Sequence, residues 1–352
     1  MGLSYYDALL PVREPGPSAP GLRHTLDSLR LPHRVLAAIR VPGGRIVLAF
    51  VSDSAELSRM VAANWAPAWP GQKPDATLYA MTGGAREYGL GEEWERARWW
   101  AREEKSMAVF RFGSYRLAKV CVRGICSAVG GDDVVFLHGC ALSVDTGAGP
   151  HGVVVTGSSG AGKTTLVAGL LGHPEYPVTV LNDDWGPVAL DSGSTSGTGE
   201  QMLHMKSASV LALRPDFFAG APPGSYAPDV SEPDEKARVL VSPDAVYGRA
   251  WGTQAARVTH LAVVVREPPG WQPPRRKLEA LRAIESEGEV GLVHHHEAFF
   301  NGSLILTSKA DALREERRFA RLLRRTTVAW INNCGPPGAL VDRFLSAVGA
   351  DR

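Results

Sequence analysis

The stretch GVVVTGSSGAGKTTLVAGLL, residues 152–171, constrains this chain more than any other. Val153, Val154 and Val155 read as a buried strand, and the residues after Gly162 are good helix formers, so the sequence predicts strand, glycine-rich loop, helix. The loop, Gly157, Ser158, Ser159, Gly160, Ala161, Gly162, Lys163 and Thr164 (with Thr165 next), fits G-x-x-x-x-G-K-[ST] at every fixed position. Glycines let successive N–H groups turn inward on phosphate oxygens, and the helix start adds a favourable dipole. Lys163 is placed to reach β- and γ-phosphates, and the Thr164 hydroxyl to ligate Mg²⁺. A glycine-serine turn can match such a pattern by chance, but the strand before it and the helix after it are the context the motif requires. The expectation is a bound nucleoside triphosphate.

Little else in the composition narrows the function. A chain of 352 residues is long enough for about two domains. The net charge of +1 gives no global pull toward nucleic acid or an anionic membrane. The four cysteines, Cys121, Cys126, Cys140 and Cys334, have no zinc-like spacing and are too few for a disulfide framework, so they read as thiols in a reducing cytoplasm. The first residues lack the basic and apolar regions of a secretory signal, and no apolar run reaches about 18 residues, so no membrane span is expected.

Taken in order, residues 1–24 mix aromatics with prolines and read as a lead-in. A hairpin is predicted over 34–51 around Gly43-Gly44, a helix over 53–65 and a strand over 76–81. Glu92 to Met107 carries Trp94, Trp99 and Trp100 among charges, at spacings that suit an amphipathic helix. Such a cluster can stack on a ligand ring, although core packing is its commoner role. Residues 1–107 are thus expected to form a smaller α+β unit ahead of an α/β domain over 108–352. In that domain the expected elements are a helix over 115–129, strands over 134–139, 141–145, 178–182, 261–265, 304–307 and 327–331, and helices over 275–287, 311–325 and 339–348. Residues 191–200 and 216–235 are flexible by composition.

A magnesium nucleotide needs a carboxylate for its metal, and a kinase needs a base for the acceptor hydroxyl. Asp183 and Asp184 end an apolar strand, where ligands of nucleotide folds gather. If that strand continued, the two carboxylates would face opposite sides, one to the metal and one to the acceptor. His138, before Gly139 at another strand end, is a second candidate. Lys236, Arg238 and, after them, Lys206 are candidates for the cations that transition-state charge demands.

The segments FLHG (136–139), GSSGAGKTT (157–165) and VLNDD (180–184), in this order, resemble the HPr kinase/phosphorylase-like proteins, relatives of ATP-type phosphoenolpyruvate carboxykinase. The resemblance implies that P-loop fold, ATP and Mg²⁺ as the nucleotide and metal, and transfer of the γ-phosphoryl group to a hydroxyl. It implies that Asp183 or Asp184 takes the acceptor's proton, with Thr164 and Asp184 holding the metal and His138 beside the reacting phosphate. It also implies a homo-oligomer. The E-x-R-G-like segment of true HPr kinases is missing, with Lys206 in HMKSASV as the nearest stand-in, and so is their C-terminal phosphorylase segment. HPr is therefore not the expected acceptor. A small hydroxyl metabolite (a sugar, nucleoside or amino-acid-like intermediate) comes first, and a peptide or protein serine second.

Other readings draw on less. A GTPase could use Asp183-Asp-Trp-Gly186 and Ser308-Lys-Ala-Asp311, but the first lies too close behind Lys163 to leave a switch segment. A nucleotide-binding sensor would keep the loop with an idle aspartate pair. The basic run 313–325, with Leu313, Ala320 and Leu323 as one apolar stripe and two glutamates among its arginines, reads as a solvated helix face and not as a nucleic-acid interface. His294 to Glu297 is a weak candidate for metal or for the acceptor pocket.

Overall fold

The computed structural model describes residues 12–14, 22–113, 115–147, 149–157, 160–228, 238–252, 254–272 and 309–349. They form a mixed α/β structure on three sheets. After β1 (Val12–Arg13) and α1 (Leu22–Asp27), β2 (His33–Val41) and β3 (Gly44–Ser52) form the expected hairpin, in register from His33↔Ser52 to Val41↔Gly44. The helix expected next is α2 (Ala55–Asn64), where the Ser54 hydroxyl accepts from the Leu57 N–H at 3.2 Å as an N-cap. Strands β4 (Ala66–Pro67), β5 (Ala76–Ala80), β6 (Arg98–Ala101) and β7 (Ser106–Val109) complete a seven-stranded sheet, ordered β1-β6-β7-β5-β3-β2-β4.

The helix expected over 92–107 does not form. A short 3₁₀ turn, Glu92–Arg96, leads directly into β6 and β7. The tryptophans follow a period of two instead of 3.6. Trp100 is buried in the core above one face of the sheet, while Trp99 packs on Trp94 with ring centroids 5.1 Å apart. Core packing is the role they take.

Helix α3 (Tyr115–Val129) spans 115–129 as expected and belongs to both halves of the chain. Its Leu117, Ala118, Cys121, Val122 and Ile125 share one core with Ile39, Leu48 and Phe50 of the first sheet and with Phe136 and Trp185 beyond it.

The second sheet contains β8 (Val134–Leu137), β9 (Gly139–Asp145), β10 (Pro150–Thr156), β11 (Val178–Asn182), β12 (Gly186–Ala189) and β13 (Ser194–Thr195). The third is antiparallel, with β14 (Leu203–Lys206), β15 (Tyr226–Pro228) and β16 (Arg238–Val241). Strand β17 (Ala256–Val265) completes the second sheet in the order β11-β9-β10-β17-β13-β12-β8, and β18 (Thr327–Asn332) lies parallel to β17. Helices α4 (Lys163–Leu171), α5 (Ser207–Leu213), α6 (Phe217–Gly220), α7 (Pro243–Tyr247), α8 (Lys309–Arg325) and α9 (Pro337–Ala347) surround it.

The valine run of β10 is explained by burial on both faces. Val153 and Val155 meet Leu166 and Leu170 of α4 and Phe344 of α9, whereas Val154 meets Phe319 and Leu322 of α8. The apolar stripe expected on α8 is shifted. Leu313 is exposed, and the buried set is Phe319, Leu322 and Leu323. Arg318 is buried too, donating to the carbonyls of Ser127 (3.0 Å) and Gly131 at the C-terminal end of α3, where carbonyls lack helical partners. No described helix is long and apolar enough to cross a membrane. The helix expected over 275–287, the strand over 304–307 and the histidine run 294–297 lie outside the described residues.

Candidate active site

Three strand ends meet at one edge of the second sheet. Strand β9 lies between β10 and β11 and runs antiparallel to both, so its beginning faces their ends: Gly139 pairs with Thr156, and Ala141 with Asn182. His138, the glycine-rich loop and the Asp183-Asp184 pair are thereby brought together. Side-chain and main-chain bonds fix the junction. The Thr156 hydroxyl donates to the His138 carbonyl at 2.8 Å, and the Gly139 N–H donates to the Asp184 carbonyl at 3.0 Å. A Cβ on Gly139 would lie 2.3 Å from the Val155 carbonyl oxygen, so no side chain fits there.

The loop leaves β10 at Gly157, whose φ of +143° favours glycine and whose Cβ position would lie 2.2 Å from the Val264 carbonyl oxygen. Ala161 is buried, and its carbonyl accepts from Asn333 Nδ2 at 2.8 Å. The loop is thus held between β17 and the residues after β18, with Gly160 exposed and Gly162 opening α4. Lys163 Nζ donates to the Gly157 carbonyl at 2.8 Å. Burial pulls this ammonium below its ordinary value, while both aspartates act the other way. Thr164 is half-buried, and Thr165 is exposed. Ser158 and Ser159 lie outside the described residues.

The chain does not continue as a strand through the aspartates. Strand β11 stops at Asn182, Asp184 has φ +69°, and the Trp185 N–H turns back to the Asp183 carbonyl at 2.9 Å. The two carboxylates still differ in surroundings. Asp184 Oδ1 lies 3.2 Å from His138 Nε2, and its Oδ2 is ion-paired with Arg123 and lies 3.6 Å from Lys119 Nζ. Burial opposes ionisation of Asp184, but Arg123, His138 and Lys119 outweigh it and hold the carboxyl well below its usual range. Asp183 receives the Tyr247 hydroxyl. Burial and the adjacent Asp184 charge push the Asp183 carboxyl up to about 6.

Lys119, Arg123, Glu200 and Tyr247 are absent from the residues singled out by the sequence. Lys119 and Arg123 had one legible signal: they are cations one turn apart in a helix otherwise rich in Leu, Ala, Val, Ile and Cys. Glu200 lies in a glycine- and threonine-rich run, and Tyr247 in a short turn of helix, so neither carried a signal. Lys206 and Arg238 occupy opposed register positions on β14 and β16. The Lys206 charge acts on Lys163. Lys236 lies outside the described residues. The cysteines are all free thiols, and Cys140 Sγ donates to the Asn182 carbonyl at 3.1 Å beneath the aspartates.

A loop that begins where only glycine fits, opening onto a helix N-terminus with a half-buried lysine, suits a phosphate chain. Among the described residues no three His, Cys, Asp or Glu side chains group as a metal centre. A divalent ion here would rely on Thr164, one carboxylate and phosphate oxygens, which is the usual sparse protein ligation of Mg²⁺. Compared with protein-family models and with curated proteins, the chain gives no match.

Proposed function

We propose that this protein is an ATP- and Mg²⁺-dependent kinase that phosphorylates a hydroxyl of a small metabolite, on the fold of the HPr kinase and phosphoenolpyruvate carboxykinase class with an additional N-terminal α+β unit. One observation carries the reading. The lysine-bearing loop and the aspartate pair, separated by α4 and β11, meet at the same sheet edge, with Gly139 bonded to Asp184 and paired with Thr156.

Bound Mg-ATP supplies the phosphoryl group and neutralises part of its charge. Lys163 and the main chain of Gly157 to Thr164 would hold the phosphates, and Thr164 with Asp184 the metal. Asp184 is held ionised by Arg123 and His138, whereas Asp183, pushed up to about 6, is the carboxylate matched to taking the acceptor's proton. The acceptor oxygen then bonds to the γ-phosphorus as the bond to the nucleoside diphosphate breaks. His138, Lys206 and Arg238 would meet charge on the transferring phosphoryl.

The test is a mass-spectrometric screen with Mg-ATP, a pool of hydroxyl metabolites and, separately, serine-containing peptides. Phosphate on a small molecule supports the proposal. Phosphate on peptides alone moves the acceptor class, and nucleotide binding with no transfer to either pool counts against a kinase.

A further inference from the structure

Two buried cations beside Asp184, and the whole first sheet, make no contact assigned to nucleotide or acceptor in the transfer proposed above. Lys119 and Arg123 stand one helical turn apart on α3, so they share a face. They are only 3% and 7% exposed. Lys119 Nζ lies 3.1 Å from Glu200 Oε1 and 3.6 Å from Asp184 Oδ2, and Arg123 is ion-paired with the same Asp184 oxygen. The Arg123 guanidinium also lies over the Trp185 ring at 5.7 Å, and Trp185 Nε1 donates to Glu200 Oε1 at 3.2 Å. Two cations thus face two carboxylates, a balanced set in which loss of one member leaves an uncompensated buried charge.

Asp184 holds a left-handed backbone conformation, which aspartate enters more readily than most non-glycine residues, and its carboxylate is held there by the two cations. The rest of α3 packs into the core of the first sheet, through Cys121, Val122 and Ile125 against residues such as Leu48 and Phe50.

We infer that Lys119 and Arg123 are positioning residues that clamp Asp184 at the site's edge, and that the first sheet serves the reaction by fixing α3. The reaction it serves is the kinase proposed above; the clamp itself can be tested without it. The experiment compares Arg123→Met, Arg123→Lys, Asp184→Asn and the double variant R123M/D184N, with phosphate release from Mg-ATP in water and urea unfolding as readouts.

R123M should slow phosphate release at saturating Mg-ATP about 10–100-fold, as loss of a supporting residue does. Its KM should stay within about twofold, because Lys163 and the loop main chain hold the phosphates and Thr164 remains to meet the metal when Asp184 shifts. R123K should recover most of the rate. In the D184N background, adding R123M should cost under about threefold, since the clamp then has no anion to hold. A KM effect with unchanged kcat, or fully multiplicative losses, would overturn the inference. Unfolding midpoints should show the same non-additivity between positions 123 and 184. If wild-type protein neither released phosphate to water nor transferred it to either acceptor pool, that coupling would uphold the clamp while the kinase reading failed. Additive midpoints would overturn the clamp itself.

Discussion

Lys119 Nζ stands 3.1 Å from Glu200 Oε1, and the two side chains are 3% and 1% exposed. The pair ties α3 to the segment that follows β13, and Glu200 bridges in turn to Trp65 at the end of α2. Lys119→Met should destabilise the protein by about 3–5 kcal/mol by stranding the carboxylate. The double variant with Glu200→Gln should recover part of that loss. Urea unfolding of the two singles and the double measures it.

Asp183 is the expected proton acceptor. Asp183→Asn should lower kcat about 10²–10⁴-fold, the usual contribution of a general base. Nucleotide affinity should be retained, because the amide keeps the shape of the site. Single-turnover transfer and calorimetric ATP binding check the two halves separately, and full activity in this variant would sink the mechanism.

Gly157 has no room for a side chain. Gly157→Ala would drive a Cβ to within 2.2 Å of the Val264 carbonyl oxygen at a φ of +143°, so the loop must leave its place. The expected result is loss of nucleotide binding with a stability cost of about 1–3 kcal/mol, in the range of local backbone strain. Calorimetry with ATP and a thermal melt read both.

A pH dependence follows from a cluster remote from this site. Tyr88 donates to Asp53 Oδ2 at 2.5 Å, and the Thr82 hydroxyl donates to the same oxygen at 2.7 Å. Burial, and then the Asp53 carboxylate, push the Tyr88 phenol up to about 12. The unfolded phenol titrates near 10, so the stabilisation is complete below about pH 10 and is lost as pH rises toward 12. Burial resists ionisation of Asp53, but Tyr88 and Thr82 outweigh it and lower its carboxyl, so its share is lost only as pH falls through that lowered value. Tyr88→Phe should flatten the alkaline loss seen in urea midpoints.

Much of the framework was legible because local pattern and tertiary role agree. Strand β11 falls on 178–182 as read, the hairpin turns at Gly43, and the valines of β10 are buried on both faces. Where they disagree, the pattern misled. The spacing of Trp94, Trp99 and Trp100 among charges suits a helix, yet RWWA is a strand because its two faces meet different cores. Leu313 looked like part of a buried stripe, but it lies exposed near the start of α8. Arg318 looked solvated, and is buried because carbonyls at the end of α3 need donors. The clamp on Asp184 was hidden for a similar reason. Whether a lysine and an arginine on an apolar helix are surface or interior is decided by Glu200 and Asp184, which arrive from distant parts of the chain.

The seat of Gly157 against Val264 also sets an order of events during synthesis. The glycine-rich loop is complete in sequence on the order of a hundred residues before the strand that supports it has been made, and chains emerge from the N-terminus onward. A nascent chain ending before β17 therefore carries the whole loop motif without the wall that shapes it. On the proposed reading, nucleotide capture becomes a late act of biogenesis, and a truncated chain should hold no ATP although every residue of the motif is present.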